Sequence, residues 1–402
     1  MLKRVVISLT IFLAIACLTI GVIAWSRGYR INVGQKTLTA TGILSTSSSP
    51  DKASIFIDGK LISATNASLS LAPNWYSVKI SKEGYQPWEK KVRVQGEVVS
   101  QIDALLLPTN PSLRALTSMG IISPVLSPLG TKVAYIVPTD EATAGGTLKP
   151  KSGVWILELR TTALGGKSEP RRIFAPSVKY DWTKASLHWS PDEKQIIAAF
   201  KKPLTTALQL ITDEENIVPV DVTFSFSSLI NQWEEVRREK EKEAVTFIIP
   251  KLADTLLRAT DHIRLSPDET KMLYLATNSG TLAPILSPPL IGSNSTEEVR
   301  AIERGKYYVY DIKEDKNYFL TGSKSVSSSD GPIWYSDSKH IVLVDKDTIA
   351  LVDFDSQNKK SVYSGPFENN LVYSWPAGGR LVILTSINAL KTLPNLYEID
   401  LR

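Results

Sequence analysis

The sequence predicts a mainly β protein: an N-terminal transmembrane helix, then a small β-sandwich, then a β-propeller of about five or six blades with a helical insertion. Three observations lead there. Residues 5–25 are an almost unbroken apolar run. From residue 36 onward, polar and apolar residues alternate in short runs divided by turn residues. Beyond residue 112 one turn-and-strand pattern recurs five times.

Composition sets the frame for these elements. A chain of 402 residues has room for two or three domains, and 43% hydrophobic residues can fill their cores. The formal net charge of +5 is spread thinly, with no dense basic stripe, so nucleic acid is not an expected partner. Cys17 is the single cysteine, which rules out an intramolecular disulfide and a thiolate zinc cluster.

In the apolar run 5–25 the only interruptions are Ser8, Thr10, Thr19 and Gly21. A helix of that length rises about 30 Å, enough to cross a hydrocarbon core, where backbone groups must be bonded internally. Trp25 and Tyr29 stand where interfacial aromatics anchor a helix end. Lys3 and Arg4 precede the run while Arg27 and Arg30 follow it, so charge barely decides orientation. The short basic tail resembles that of a signal anchor, which makes residues 1–30 a cytoplasmic tail plus anchor and leaves the bulk of the chain extracytoplasmic. A cleaved signal peptide and a lipidated Cys17 after Ala14-Ile15-Ala16 are the competing readings.

Six short strands follow in residues 38–108: 41–45, 53–57, 68–71, 75–80, 88–94 and 98–107. The second closes on Asp58-Gly59, a strong hairpin signal, and the turns come about every ten residues, as in a small sandwich. These residues resemble the PEGA domain. The resemblance rests on Ser49-Pro50-Asp51-Lys52-Ala53, on Ile55-Phe56-Ile57-Asp58-Gly59-Lys60, on Leu71-Ala72-Pro73-Asn74-Trp75-Tyr76 and on Lys82-Glu83-Gly84-Tyr85-Gln86-Pro87-Trp88. The naming tetrapeptide departs, since Pro50-Asp51-Lys52-Ala53 keeps only its first and last residues. Asn74 replaces the usual turn glycine and tolerates a left-handed backbone. The resemblance implies no chemistry; it implies a spacer or a wall-facing adhesion module. Tyr85 and Trp88 are either exposed binding aromatics or packing residues at the sandwich edge.

Residues 112–402 carry the repeat. Leu126-Ser127-Pro128, Trp189-Ser190-Pro191-Asp192, Leu265-Ser266-Pro267-Asp268, Tyr335-Ser336-Asp337 and Ser374-Trp375-Pro376 each lead into an apolar strand. A further strand then ends on an acid, as at Glu158, Asp311, Asp353 and Asp400. Proline presets the turn dihedral and aspartate bonds the backbone two residues on. A recurring four-strand unit means a propeller, and this one resembles the TolB type, a relative of dipeptidyl-peptidase propellers. The closing blade is expected to borrow a strand from 113–116. Residues 228–260 have helical periodicity through Leu229, Trp233, Val236, Leu252, Leu256 and Leu257, with Glu234–Arg238 and Arg237–Glu241 at helical spacing. This insertion is either a lid packed on the propeller or a partner-docking hairpin. Residues 281–304, rich in Pro, Ser and Gly, read as a mobile loop.

No constellation for catalysis stands out, so no catalytic, cofactor-binding or metal-ligating residues are assigned and the chain is not expected to be an enzyme. His188, His262 and His340 each lie near a blade turn and read as one repeated structural position. No nucleophile elbow is present. Leu164-Gly165-Gly166-Lys167 is too short for a phosphate loop. Asp345-x-Asp347 and Asp353-x-Asp355 lack the glycine and distal glutamate of a calcium loop and read as hairpin turns. The expected function is a membrane-anchored, surface-exposed binding or scaffolding protein of the bacterial cell envelope, with the propeller meeting a protein or glycan partner. The alternatives are a wall-glycan enzyme using propeller carboxylates and a purely structural protein associated with a surface layer.

Overall fold

The computed structural model describes residues 2–26, 29–32, 37–138, 152–160, 169–175, 182–200, 206–322, 331–387 and 393–402. The chain forms two compact units. The first is Met1–Thr109 with Leu286–Glu297, and the second is Asn110–Ile285 with Glu298–Arg402.

The first unit begins with helix α1, Leu2–Ser26. Its stretch Val6–Ile23 is long and apolar enough to cross a membrane, a property shared by anchors and signal sequences. Both threonine hydroxyls inside it are satisfied by the helix itself: Thr10 Oγ1 donates to the Val6 carbonyl and Thr19 Oγ1 to that of Ile15, both at 2.8 Å. The helix therefore presents no unmet polar side chain at those positions to its surroundings. A short ribbon, Tyr29–Asn32 against Thr37–Ala40, follows.

Two sheets then face each other. One orders Ala67–Leu71, Gly42–Ser49 and Val99–Leu105, the last pair parallel. The other orders Lys60–Ala64, Ser54–Ile57, Asn74–Ser81 and Trp88–Val94. Leu44, Ile55, Ile57, Val78, Ile80, Trp88, Val92 and Ile102 meet between them as a hydrophobic core. The alternation that named these strands is the alternation that fills this core. Lys60–Ala64 is an additional strand absent from the sequence reading. It is an exposed edge with no inward apolar alternation, so periodicity could not reveal it. Asp58 (φ 48°) and Gly59 (φ 80°) make the tight turn that the Asp-Gly pair signalled. Asn74 corrects an expectation, because its φ is not positive. It opens a strand, and its Oδ1 accepts from the Trp75 amide at 2.8 Å. At Gly42 a Cβ would lie 2.1 Å from the Gln95 carbonyl oxygen, so only glycine fits there.

The stretch expected to be mobile is tied down instead. In the first unit, Gly292 N donates to Gln95 Oε1, Lys90 Nζ to Asn294 Oδ1 and Arg93 N to Ser295 Oγ, each at 3.0 Å. Serine and asparagine side chains here bond strand groups rather than solvent, which loop composition does not disclose.

The second unit holds five four-stranded antiparallel sheets among the described residues. The first is Ile122–Leu126, Lys132–Val137, Gly153–Glu158 and Arg171–Phe174. The second is Ala185–Trp189, Gln195–Phe200, Thr206–Ile211 and Val220–Asp221. The third is Thr260–Leu265, Lys271–Ala276, Lys306–Asp311 and Lys316–Gly322. The fourth is Ile333–Trp334, His340–Asp345, Thr348–Asp353 and Lys360–Ser364. The fifth takes Val372–Ser374, Arg380–Thr385 and Asn395–Asp400, and Ser112–Ala115 joins it, pairing Ser112 with Asp400. The expected borrowed strand is thus present. Side chains of the first and second sheets share one core, those of the first and fifth another, and those of the third and fourth a third.

The helical insertion is α2, Phe226–Ile248, and α3, Ala253–Ala259. Phe226, Leu229, Ile230 and Trp233 pack on Ile197, Ala207 and Val222 of the second-sheet region. At the other end Val245, Ile248 and Ile249 join Leu256, Met272 and Tyr274 against the third sheet. The insertion therefore packs on the sheets, with a wet middle: Arg237 bridges Glu234 at 2.7 Å and Glu241 at 2.8 Å.

Candidate functional site

The five repeated turns of the second unit share one backbone hydrogen-bond scheme, and two of them share a side-chain scheme as well. Ser190 Oγ accepts from the Gln195 amide at 2.9 Å and donates to Asp192 Oδ1 at 2.6 Å, and that oxygen also accepts from the Lys194 amide at 3.2 Å. Ser266 and Asp268 repeat this with Lys271 and Thr270. The residue three on from each serine turns left-handed: Gly130, Glu193 and Glu269. Asp192 and Asp268 both titrate below the ordinary carboxylate range. At Asp192 the Ser190 hydroxyl leads that shift, and at Asp268 the Ser266 and Thr270 donors outweigh an opposing burial effect.

The backbone sets the true register of the last two turns. Tyr335 N donates to the His340 carbonyl and Trp375 N to that of Arg380, as Ser190 N does to Gln195, and Ser338 and Gly378 are left-handed. Tyr335 and Trp375 thus stand where the earlier turns have serine. Neighbouring turns are also joined. Glu193 accepts from the Leu129 amide at 2.7 Å, Ser338 Oγ from the Asp268 amide at 3.0 Å, and the Tyr335 hydroxyl from the Gly379 amide at 2.7 Å.

Just after four of the five turns, the first residue of the second strand faces the acid that ends the third; in the second sheet Gln195 faces Ile211 instead. The register pairs Lys132 with Glu158, Lys271 with Asp311, His340 with Asp353 and Arg380 with Asp400. The acids that sequence reading picked out are therefore one half of a cross-strand cation–acid set. Their contacts differ. Lys271 reaches Asp311 at 4.0 Å, while Arg380 goes to Glu398 at 3.7 Å and Lys132 to Glu193 at 4.0 Å. His340 is the tightest. Its Nδ1 lies 2.6 Å from Asp337 Oδ2 and its Nε2 3.1 Å from Asp353 Oδ1, and the ring is buried. Burial alone would push the imidazole down, but the hydrogen bonds and charges of both aspartates outweigh it and raise it to about 9. His340 is thus an imidazolium at neutral pH, with both nitrogens donating to carboxylates. A ring so engaged holds a turn together and has no lone pair for a metal or for base catalysis.

The three histidines do not repeat one position, contrary to expectation. His188 and His262 lie within first strands, whereas His340 opens a second strand. His188 Nε2 is 3.1 Å from Ser186 Oγ, and its ring meets Phe226 edge-on. The His262 side chain and the segment Leu164-Gly165-Gly166-Lys167 lie outside the described residues. Lys346 and Asp347 form the two-residue hairpin loop between paired Asp345 and Thr348. Asp353 accepts from His340 and from Asn358 Nδ2. Trp88 is buried in the sandwich core and Tyr85 packs against it, so neither is an exposed binding aromatic. Among the described residues there is no group of three His, Cys, Asp or Glu able to hold a metal ion.

Among the described residues of the sandwich, the exposed aromatic is Trp75, which the sequence marks only as a strand residue. Tyr76, Val78 and Ile80 face the core, so Trp75, Ser77 and Lys79 face outward on the same strand. Trp75 is 44% exposed. Arg93 stands directly across from it, Lys91 from Ser77 and Glu89 from Lys79. Lys79 is neutralised by Glu89 at 3.1 Å. Lys91 Nζ instead lies 5.6 Å from the Trp75 ring centroid. Neither Lys91 nor Arg93 has an acidic partner among the described residues. An exposed indole thus sits beside two uncompensated cations on a rigid sheet.

The sandwich has a family match. Residues 41–110 match the PEGA domain model. No curated protein matches the chain in sequence. Among solved structures, TolB from Acinetobacter baumannii is similar at 13% identity and a TM-score of 0.24, covering 81% of this chain and 59% of that one. A TolB from Agrobacterium tumefaciens is similar at 14% identity and a TM-score of 0.21, covering 90% and 99%. An acylaminoacyl peptidase from Pyrococcus horikoshii is similar at 12% identity and a TM-score of 0.19, covering 66% and 35%. The PEGA domain thus accounts for the first unit's sandwich, and the outward Trp75 belongs to it.

Proposed function

We propose that this chain is a membrane-anchored, non-catalytic binding or scaffolding protein of the bacterial cell envelope. Helix α1 serves as its single-pass anchor, and the bulk of the chain is extracytoplasmic. The observation that carries the reading is the joining of an apolar helix, with its threonine hydroxyls self-satisfied, to a PEGA domain in one chain. The five sheets of the second unit act as five blades of a propeller that presents its turns and loops to an envelope protein or glycan. Support comes from the four-stranded antiparallel sheet repeated five times, from the strand Ser112–Ala115 completing the last of them, and from the bonds that join successive turns. The buried, doubly bonded state of His340 favours a scaffold over a catalyst at that turn, since both ring nitrogens already have carboxylate partners.

Protease treatment of intact cells tests the topology, with digestion of the C-terminal unit as the expected result and its protection as the refuting one. Cross-linking in isolated envelopes followed by pull-down tests the binding role, and recovery of no specific partner would count against it. Turnover of wall polymers by the purified chain would move the reading to an enzyme.

A further inference from the structure

We propose that the outer face of the four-stranded PEGA sheet, centred on Trp75 with Lys91 and Arg93, binds an acidic polysaccharide. The inference concerns the sandwich alone and does not depend on how the second unit works.

The argument starts from side-chain parity. Strand Asn74–Ser81 must turn Tyr76, Val78 and Ile80 into the core, which forces Trp75 outward at its first turn of the pleat. A large indole held open to water costs hydrophobic free energy that burial would recover. Its geometry suits a sugar, because the apolar C–H face of a pyranose ring stacks on an indole while its hydroxyls stay wet. The flanking charge selects the kind of sugar. Arg93 is about 5 Å from Trp75 across the ladder. Lys91 lies on the same strand as Arg93, two residues and about 7 Å away. Both are exposed and free of acidic partners among the described residues, whereas Lys79 on the same face has Glu89. Two open cations beside an aromatic complement a polymer with an anionic group next to each stacked ring, by charge-assisted hydrogen bonds from guanidinium and ammonium. The strands fix this spacing: Arg93 N is bonded to Ser295 Oγ and Ser100 Oγ donates to the Arg93 carbonyl, so the backbone beneath the site is ordered before binding and only the side chains are left to settle. A carboxylate from a uronic acid and a phosphate ester on a sugar present the same chemistry to this site.

The test uses the full chain in zwitterionic phosphatidylcholine nanodiscs, titrated with polygalacturonate, a phosphate-bearing mannan and neutral dextran. At least one acidic polymer should bind about tenfold or more tighter than dextran, and the preferred one names the anion. Trp75→Ala and the pair Lys91→Gln/Arg93→Gln should each weaken that binding about tenfold, and the pair should also flatten its salt dependence. Lys79→Gln should leave binding within about twofold. Trp75→Phe keeps a stacking face and should retain most of the affinity, separating a lost contact from a misfolded sandwich. Equal binding of dextran, or unchanged affinity in both Trp75→Ala and the cation pair, would overturn the proposal. So would a result in which these variants lose binding only to nanodiscs containing anionic lipid. Because binding is read in vitro, a negative result bears on this face and not on membrane topology.

Discussion

Raising the pH should destabilise the second unit through His340, and the effect is large enough to measure. Its imidazole titrates near 6.5 when unfolded and at about 9 in the fold. The folded-state value is the higher one, so the imidazolium's contribution is fully present below about pH 6.5. It disappears as the pH rises through 9. Between those limits the native state holds one more proton than the unfolded chain, which gives a slope of about −1.4 kcal/mol per pH unit. Over the whole interval that amounts to about 3 kcal/mol. Urea unfolding of the full chain in detergent micelles, followed by tryptophan fluorescence between pH 6 and 10, reads this slope, and Trp334 in the fourth sheet and Trp375 in the turn of the fifth are buried reporters. His340→Gln keeps a donor amide but cannot titrate, so its stability should be lower at pH 6 and nearly flat to pH 9. Parallel pH profiles for the native chain and His340→Gln would refute the reasoning.

Three further outcomes follow from the packing. Lys271→Met should cost about 3 kcal/mol by leaving Asp311 buried without its cation, and adding Asp311→Asn should recover part of that loss; additive costs in a double-mutant cycle would argue against the pairing. Thr117→Val should cost about 1–3 kcal/mol because the buried Leu396 amide, which donates to Thr117 Oγ1 at 2.9 Å, loses its acceptor. Removing 109–118 altogether should lower the melting temperature further, and an unchanged melting profile would count against the role of Ser112–Ala115. Gly42→Ala should destabilise the sandwich by about 2 kcal/mol or more, since its Cβ meets the Gln95 carbonyl oxygen at 2.1 Å, and a wild-type melting temperature would show that the strand can move aside.

Legibility from sequence followed the strength of the local signal. Strands that alternate strongly, such as Trp88–Val94, and those that are apolar beyond their first residue, such as Lys271–Ala276, were readable because burial selects their residues. Short or exposed strands were not: Lys60–Ala64 and Val220–Asp221 bury little, so nothing constrains their pattern. The Ser-Pro-Asp turns were plain where serine closes the loop. At Tyr335 and Trp375 a different side chain occupies that place, and only backbone bonding reveals the register. The acids ending the third strands were visible, but their cations lie across a ladder and between 13 and 40 residues away in sequence, as His340 from Asp353 and Lys271 from Asp311 illustrate. Trp75 was overlooked although its signal was present. Tyr76, Val78 and Ile80 share one parity, and that alone sends Trp75 to the surface.

The pairing of Ser112 with Asp400 bears on when the second unit can finish folding. A ladder whose two strands are separated by nearly the whole unit has a large loop-closure cost and few local contacts to offset it early. During synthesis, four of the sheets can collapse from neighbouring segments, while the fifth waits for its last strand to emerge. Until then Val382 and Leu384, which pack with Val133 and Tyr135 of the first sheet, lack the cover of Leu396. That interval exposes apolar surface to water and to other chains, so a nascent chain stalled before residue 395 is the species in which chaperone dependence and aggregation should concentrate.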